Sequence, residues 1–92
     1  MNIPTISCIE NALDTYYRYS EIGNREICII FGKLSSATIA KLKRHAKEKM
    51  NEFEVCSHGM YRVNTKVAFI AWGIDVVDLE ERFNKLKSLK LQ

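Results

Sequence analysis

Apolar residues recur along most of this chain at intervals of three and four, the spacing that gathers them on one side of an α-helix. Ile9, Leu13 and Tyr16, with Ala12 beside them, predict a first helix over residues 7–21. Ser7 and Glu10 carry the S-x-x-E spacing of a capping box, in which side chain and backbone satisfy each other's free N–H groups. Gly23 is placed to end that helix. Ile27, Ile30 and Phe31 mark the buried side of a short second helix over 25–31, with Asn24 as its cap and Gly32 as its stop. Ser35 or Ser36 then caps a third helix that runs to Glu52. Its apolar stripe is Ile39, Leu42, Ala46, Met50 and Phe53, and around the opposite side lie Ala37, Ala40, Lys41, Arg44 and Glu48.

The period changes after this helix. Phe53 and Val55 alternate with polar neighbours, as Tyr61 and Val63 do around Arg62, and Ser57-His58-Gly59 between them is a turn cluster. Residues 53–63 therefore predict a short β-hairpin. Asn64 is the cap of a fourth helix carrying Ala68, Phe69 and Trp72, closed by Gly73. Asp75 caps a last helix over 76–90 with Val76, Leu79, Phe83 and Leu86 along one side. Glu81 and Lys85 form a favourable i,i+4 pair there, and Lys85, Lys87 and Lys90 suit the helix C-terminus. Trp72 and Phe83 are expected to be buried, Trp72 against the base of the third helix. The tyrosines at 16, 17 and 19 read as core and helix surface. The predicted fold is mainly α: a compact helical domain of about five helices with a short β-hairpin.

Composition narrows the function classes. Ninety-two residues, 47% of them hydrophobic, make one small globular domain spanning 1–92, with little room for an active site and its supporting layer. No apolar run approaches the roughly 20 residues that a membrane-spanning helix needs, so no membrane is expected. The opening MNIPTISC has neither the charged nor the apolar region of a secretory leader. Cys8, Cys28 and Cys56 are odd in number and widely spaced, which predicts a reducing compartment, the cytoplasm, and no disulfides. No phosphate-binding loop, dinucleotide glycine pattern, nucleophile elbow or HExxH occurs. Cys56-Ser57-His58 is the one close Cys/His pair, and it has neither the four ligands of a zinc site nor the third group of a catalytic triad. We therefore expect no enzyme, no metal, no cofactor and no small-molecule ligand.

Charge is unevenly spread. Residues 1–32 set Arg18 and Arg25 against Glu10, Asp14, Glu21 and Glu26. Residues 33–49 set Lys33, Lys41, Lys43, Arg44, Lys47 and Lys49 against Glu48 alone. Such concentration suits phosphate binding, because each neutralised phosphate releases condensed counterions.

Residues 24–44 carry this charge in a recognisable layout: I27-C28-I29-I30-F31-G32, then Leu34, then S35-S36-A37-T38-I39. A short helix ending at glycine, an apolar turn residue and a serine-capped second helix resemble the helix-turn-helix of DNA-binding regulators. Cys28 stands where that pattern has a small residue, and Thr38-Ile39 match the pair that packs the second helix on the first. Lys33 intervenes between the glycine and the apolar residue, which implies a turn one residue longer than the commonest form. The resemblance implies a helix-turn-helix core over 24–52, the hairpin 53–63 in the position of a wing, and a C-terminal helical pair over 64–90. It implies double-stranded DNA as partner, with helix 36–52 in the major groove. Ser36, Ala37, Ala40, Lys41 and Arg44 are then the candidates for base edges, and Lys33, Lys43 and Lys47 for phosphates. Arg62 or His58 would let the wing touch flanking backbone, unless the hairpin merely covers the core. In size and single-domain layout the chain is similar to small regulators of bacteriophages and mobile elements: repressors, excisionase-type factors and the DNA-recognition part of packaging terminases.

Residues 67–83, VAFIAWGIDVVDLEERF, repeat the helix–glycine–cap–helix layout. Asp78, Glu80 and Glu81 at the start of their second helix would repel phosphate, so this region is assigned to core and interface. Its stripe either closes the core or pairs two copies in a homodimer through helix 76–90. The rival to DNA is an acidic protein: a protein-interaction module, such as a phage-encoded inhibitor, could dock the same basic helix on an acidic partner.

Overall fold

Local capping chemistry sets most of the helix starts. Ser35 Oγ accepts the Thr38 N–H at 3.2 Å, Asn64 Oδ1 accepts the Val67 N–H at 3.1 Å, and Asp75 Oδ1 accepts the Val77 and Asp78 N–H groups at 3.0 and 3.3 Å. Each side chain satisfies donors that the first helical turn leaves free. The computed structural model describes residues 3–57, 59 and 61–90. In chain order these form α1 (Ile9–Arg18), β1 (Glu21–Ile22), α2 (Asn24–Phe31), α3 (Ser36–Glu52), β2 (Val63–Asn64), α4 (Thr65–Ala71) and α5 (Val76–Lys90). Among the described residues the fold is mainly helical, with five helices and one short two-stranded antiparallel element. No helix among the described residues is long and apolar enough to cross a membrane.

Two local expectations are corrected. The first concerns α1, which begins at Ile9 and not at Ser7. Cys8 is its N-cap, with no side-chain bond to the first turn. Ser7 turns away: its N–H and its Oγ both donate to the Ile30 carbonyl oxygen, at 3.0 and 3.3 Å, so it ties the chain start to the end of α2. The helix stops at Arg18, because Glu21 and Ile22 are drawn into strand pairing. Gly23 is the N-cap of α2, its N–H donating to Glu26 Oε1 at 3.0 Å.

The second concerns the strands. Val63–Asn64 do lie in an antiparallel pair, but their partners are Ile22 and Glu21, not the segment around Phe53. The Thr65 N–H donates to the Ser20 carbonyl at 3.0 Å and lengthens the pairing. Phe53, Glu54 and Val55 are instead spent on ending α3. Glu54 has φ 55°, its N–H reaches Asn51 O at 3.2 Å, and the Val55 N–H reaches Met50 O at 2.9 Å. These two bonds are the Schellman closure of a helix, and here a glutamate holds the left-handed position that glycine usually takes. Phe53 is consequently exposed, with the Lys49 ammonium 5.8 Å from its ring centre. His58 lies outside the described residues.

The core joins every element. Ile22 and Val63 from the strands, Ile27 and Ile30 from α2, Leu42 and Ala46 from α3 and Ala68 from α4 are fully buried. A line of aromatic rings crosses it: Tyr16 to Phe69 at 5.0 Å, Phe69 to Trp72 at 6.2 Å and Trp72 to Phe31 at 5.5 Å between centroids. Trp72 is buried as expected, and its Nε1–H donates to the Leu42 carbonyl of α3 at 2.9 Å. On α5 Leu79 is buried and Phe83 half-buried, whereas Leu86 and Leu89 are exposed, so the apolar stripe outlasts the core.

Two stability outcomes follow from this geometry. Trp72→Phe keeps a ring but removes the only donor that side chain offers, so it should lower unfolding free energy by about 2 kcal/mol in a urea titration. Glu54→Gly should raise it by about 1 kcal/mol in the same measurement, because it relieves the left-handed strain and removes a carboxylate from the negative end of α3.

Candidate nucleic-acid interface

The turn before α3 is built on Gly32. Its N–H closes α2 on Cys28 O at 2.8 Å, and its φ of 87° with ψ −163° lies in a region that side chains rarely enter. Lys33 follows, exposed, and Leu34 returns half-buried before the Ser35 cap. The chain therefore reverses through a turn that accommodates Lys33, and α3 begins with its charged residues still ahead of it.

The core fixes which side of α3 faces out. Leu42, Ala46 and Met50 are buried against α4 and β2, with Ile39 half-buried beside them. Helical spacing then puts Ala37, Ala40, Lys41 and Arg44 on the outer side, and all four are exposed. Lys41 and Arg44 stand one turn apart and have no ion-pair partner among the described residues. Together with His45 and Glu48 they line a shallow depression. Glu48 is the carboxylate of that ridge, and its Oε2 lies 4.0 Å from His45 Nδ1.

A second, narrower strip runs beside this ridge. Ser36, Ala40 and Lys43 line a notch with Leu34, Ile39 and Asn24, the first residue of α2. Partial burial pushes the Lys43 ammonium below the usual lysine range, and the charge of Lys47 one turn on adds to the effect. Lys47 itself is exposed. Seven of the nine residues singled out in the sequence thus share one helix, with Lys33 exposed in the turn that leads into it.

Arg62 is placed differently. Its Nη1 lies 3.6 Å from Glu26 Oε1 and donates to the Glu21 carbonyl at 3.5 Å. Its N–H reaches Gly59 O at 3.2 Å, the Gly59 N–H reaches Glu21 Oε1 at 3.3 Å, and a methyl group on Gly59 would come within 3.1 Å of the Arg62 stem. The guanidinium is therefore committed to the corner between β1 and α2, opposite a buried carboxylate. The partners Glu21 and Glu26, and Asn24 beside Lys43, were missing from the sequence reading. Only the tertiary fold brings them within reach, and no short spacing announces them.

Comparison with protein-family models, with curated proteins and with solved structures returns no match, so the reading of this interface rests on its geometry and charge.

Proposed function

We propose that this chain is a DNA-binding protein that seats α3 in the major groove of duplex DNA. The observation that carries the reading is the outer ridge of α3, where Lys41 and Arg44 are exposed beside the small Ala37 and Ala40 and have no ion-pair partner among the described residues. Small residues let the helix backbone come close to base edges, and an arginine on that ridge can meet O6 and N7 of guanine as a bidentate pair. Ser36 and Ala37, at the start of α3, have N–H groups with no partner inside the helix, and these add to the pull on phosphate. Lys33, Lys43 and Lys47 flank the ridge as phosphate contacts. Arg62 contributes by holding the loop after α3 against β1, and with its charge shared it is the weakest of the nine as a direct contact. In role the chain would then be a small regulator of the bacteriophage or mobile-element kind.

Glu48 favours the second reading, an acidic protein partner. It lies one turn beyond Arg44 on the same ridge, where a phosphate would meet like charge and a protein surface could offer a donor.

Fluorescence anisotropy of a labelled random-sequence duplex, titrated at two salt concentrations, tests the proposal. Wild-type binding should weaken as salt rises. Lys41→Ala/Arg44→Ala should lose at least about tenfold in affinity and show a salt slope shallower by roughly 1–2. No wild-type binding at low salt would overturn DNA as the partner and leave the acidic protein.

A further inference from the structure

Four exposed side chains stand in one row down the outside of α3: Ala37, Lys41, Arg44 and Glu48, at successive spacings of four, three and four. The row lies opposite Leu42, Ala46 and Met50, so it is the part of the helix farthest from the core. Lys43 and Lys47 run along one flank of it, and His45 and Glu52 along the other.

Glu48 is the member of this row that phosphate binding does not explain. Glu52, the other carboxylate of α3, is paired with Lys49 at 3.0 Å. Glu48 has no such cover. Arg44, one turn before it, forms no ion pair with it among the described residues, and His45 Nδ1 at 4.0 Å is beyond hydrogen-bond reach. A carboxylate at the centre of a face turned to a polyanion weakens the hold on every duplex. A base-edge donor at the same place offsets that penalty. Two bases carry one in the major groove. Adenine sets its N6 donor beside the N7 acceptor, which repels a carboxylate, whereas cytosine N4 has no acceptor on its own edge.

We propose that the outer row of α3 reads G·C pairs, with Arg44 on O6 and N7 of a guanine and Glu48 accepting from N4 of a cytosine. This rests on α3 lying in the major groove, as proposed above. Arg44 and Glu48 are about 6 Å apart along the helix and base pairs stack about every 3.4 Å, so the two targets lie one or two steps apart. Glu48 is then a specificity residue. Its charge lowers affinity for duplexes in general and is met by a donor at the right one.

Selection of duplexes from a random library by the wild-type chain tests it, followed by fluorescence anisotropy on the selected site and on an unselected duplex. The selected site should hold a guanine and a cytosine one or two pairs apart. Glu48 is exposed, so its substitution leaves the core untouched. Glu48→Ala should lose about fivefold or more on the selected site and bind the unselected duplex about two- to threefold more tightly. A merely solvated carboxylate would not give opposite signs on the two duplexes. Arg44→Ala should relax the guanine position alone. N4-methylcytosine at the cytosine position keeps the base pair but replaces the groove-facing N–H with a methyl group. Wild type should lose about fivefold on that duplex and Glu48→Ala nothing. A selected pool without G·C preference, tighter or unchanged binding of the selected site by Glu48→Ala, or indifference of wild type to the N4-methyl group would each overturn the proposal with DNA binding intact. No wild-type binding to any duplex at low salt would overturn DNA binding itself, and this readout with it.

Discussion

The bond from the Trp72 indole to the Leu42 carbonyl is the constraint on which the proposed interface depends. It fixes the rotation of α3 about its own axis, because a carbonyl in the middle of the helix must point to the end of α4. With Leu42 turned inward, Ala46 and Met50 follow at the next turns, and Ala37, Lys41 and Arg44 are carried to the outside. The same indole sits edge-on to Phe31 at the end of α2, so one side chain touches both helices that flank the turn at Gly32. Losing it would loosen the angle between them as well as the rotation of α3.

A second constraint holds the segment after α3. The pairing of Ile22 with Val63 buries both side chains completely, and two paired residues per strand are too few to persist without that burial. Glu26 is buried beside them. A carboxylate there is tolerable only when its charge is met, and it is met by the Gly23 N–H and the Arg62 guanidinium. Gly59 and Arg62, between α3 and β2, are thus held against β1 and the start of α2.

The sequence disclosed what depends on near neighbours. Ser35, Asn64 and Asp75 cap helices because the donors they serve lie two or three residues away, and the stripe Leu42, Ala46 and Met50 needs only helical spacing. The failures are competitions that spacing cannot decide. Ser7 has the right neighbour for a capping box, yet the Ile30 carbonyl, 23 residues distant, takes both of its donors. Phe53 and Val55 alternate as a strand does, but the helix before them ends most cheaply by a Schellman turn that uses those very residues. Candidate contacts on α3 were legible for the same local reason: one helix carries them. Arg62 was not, because its fate is set by Glu21 and Glu26, some forty residues earlier.

The charge pattern of α3 is hard to account for as a solvated surface. Lys41 with Arg44 and Lys43 with Lys47 are like-charge pairs at spacings of three and four, each costing the helix a few tenths of a kcal/mol. No acidic residue occupies its first turn, where a carboxylate would stabilise it. Lys43 is held partly out of water as well. The helix persists because Leu42, Ala46, Met50 and the indole bond hold it from within, not because its own surface favours it. An array that the isolated helix would disfavour, kept in place by the core, gains most when a polyanion replaces repulsion between neighbours with attraction to phosphate.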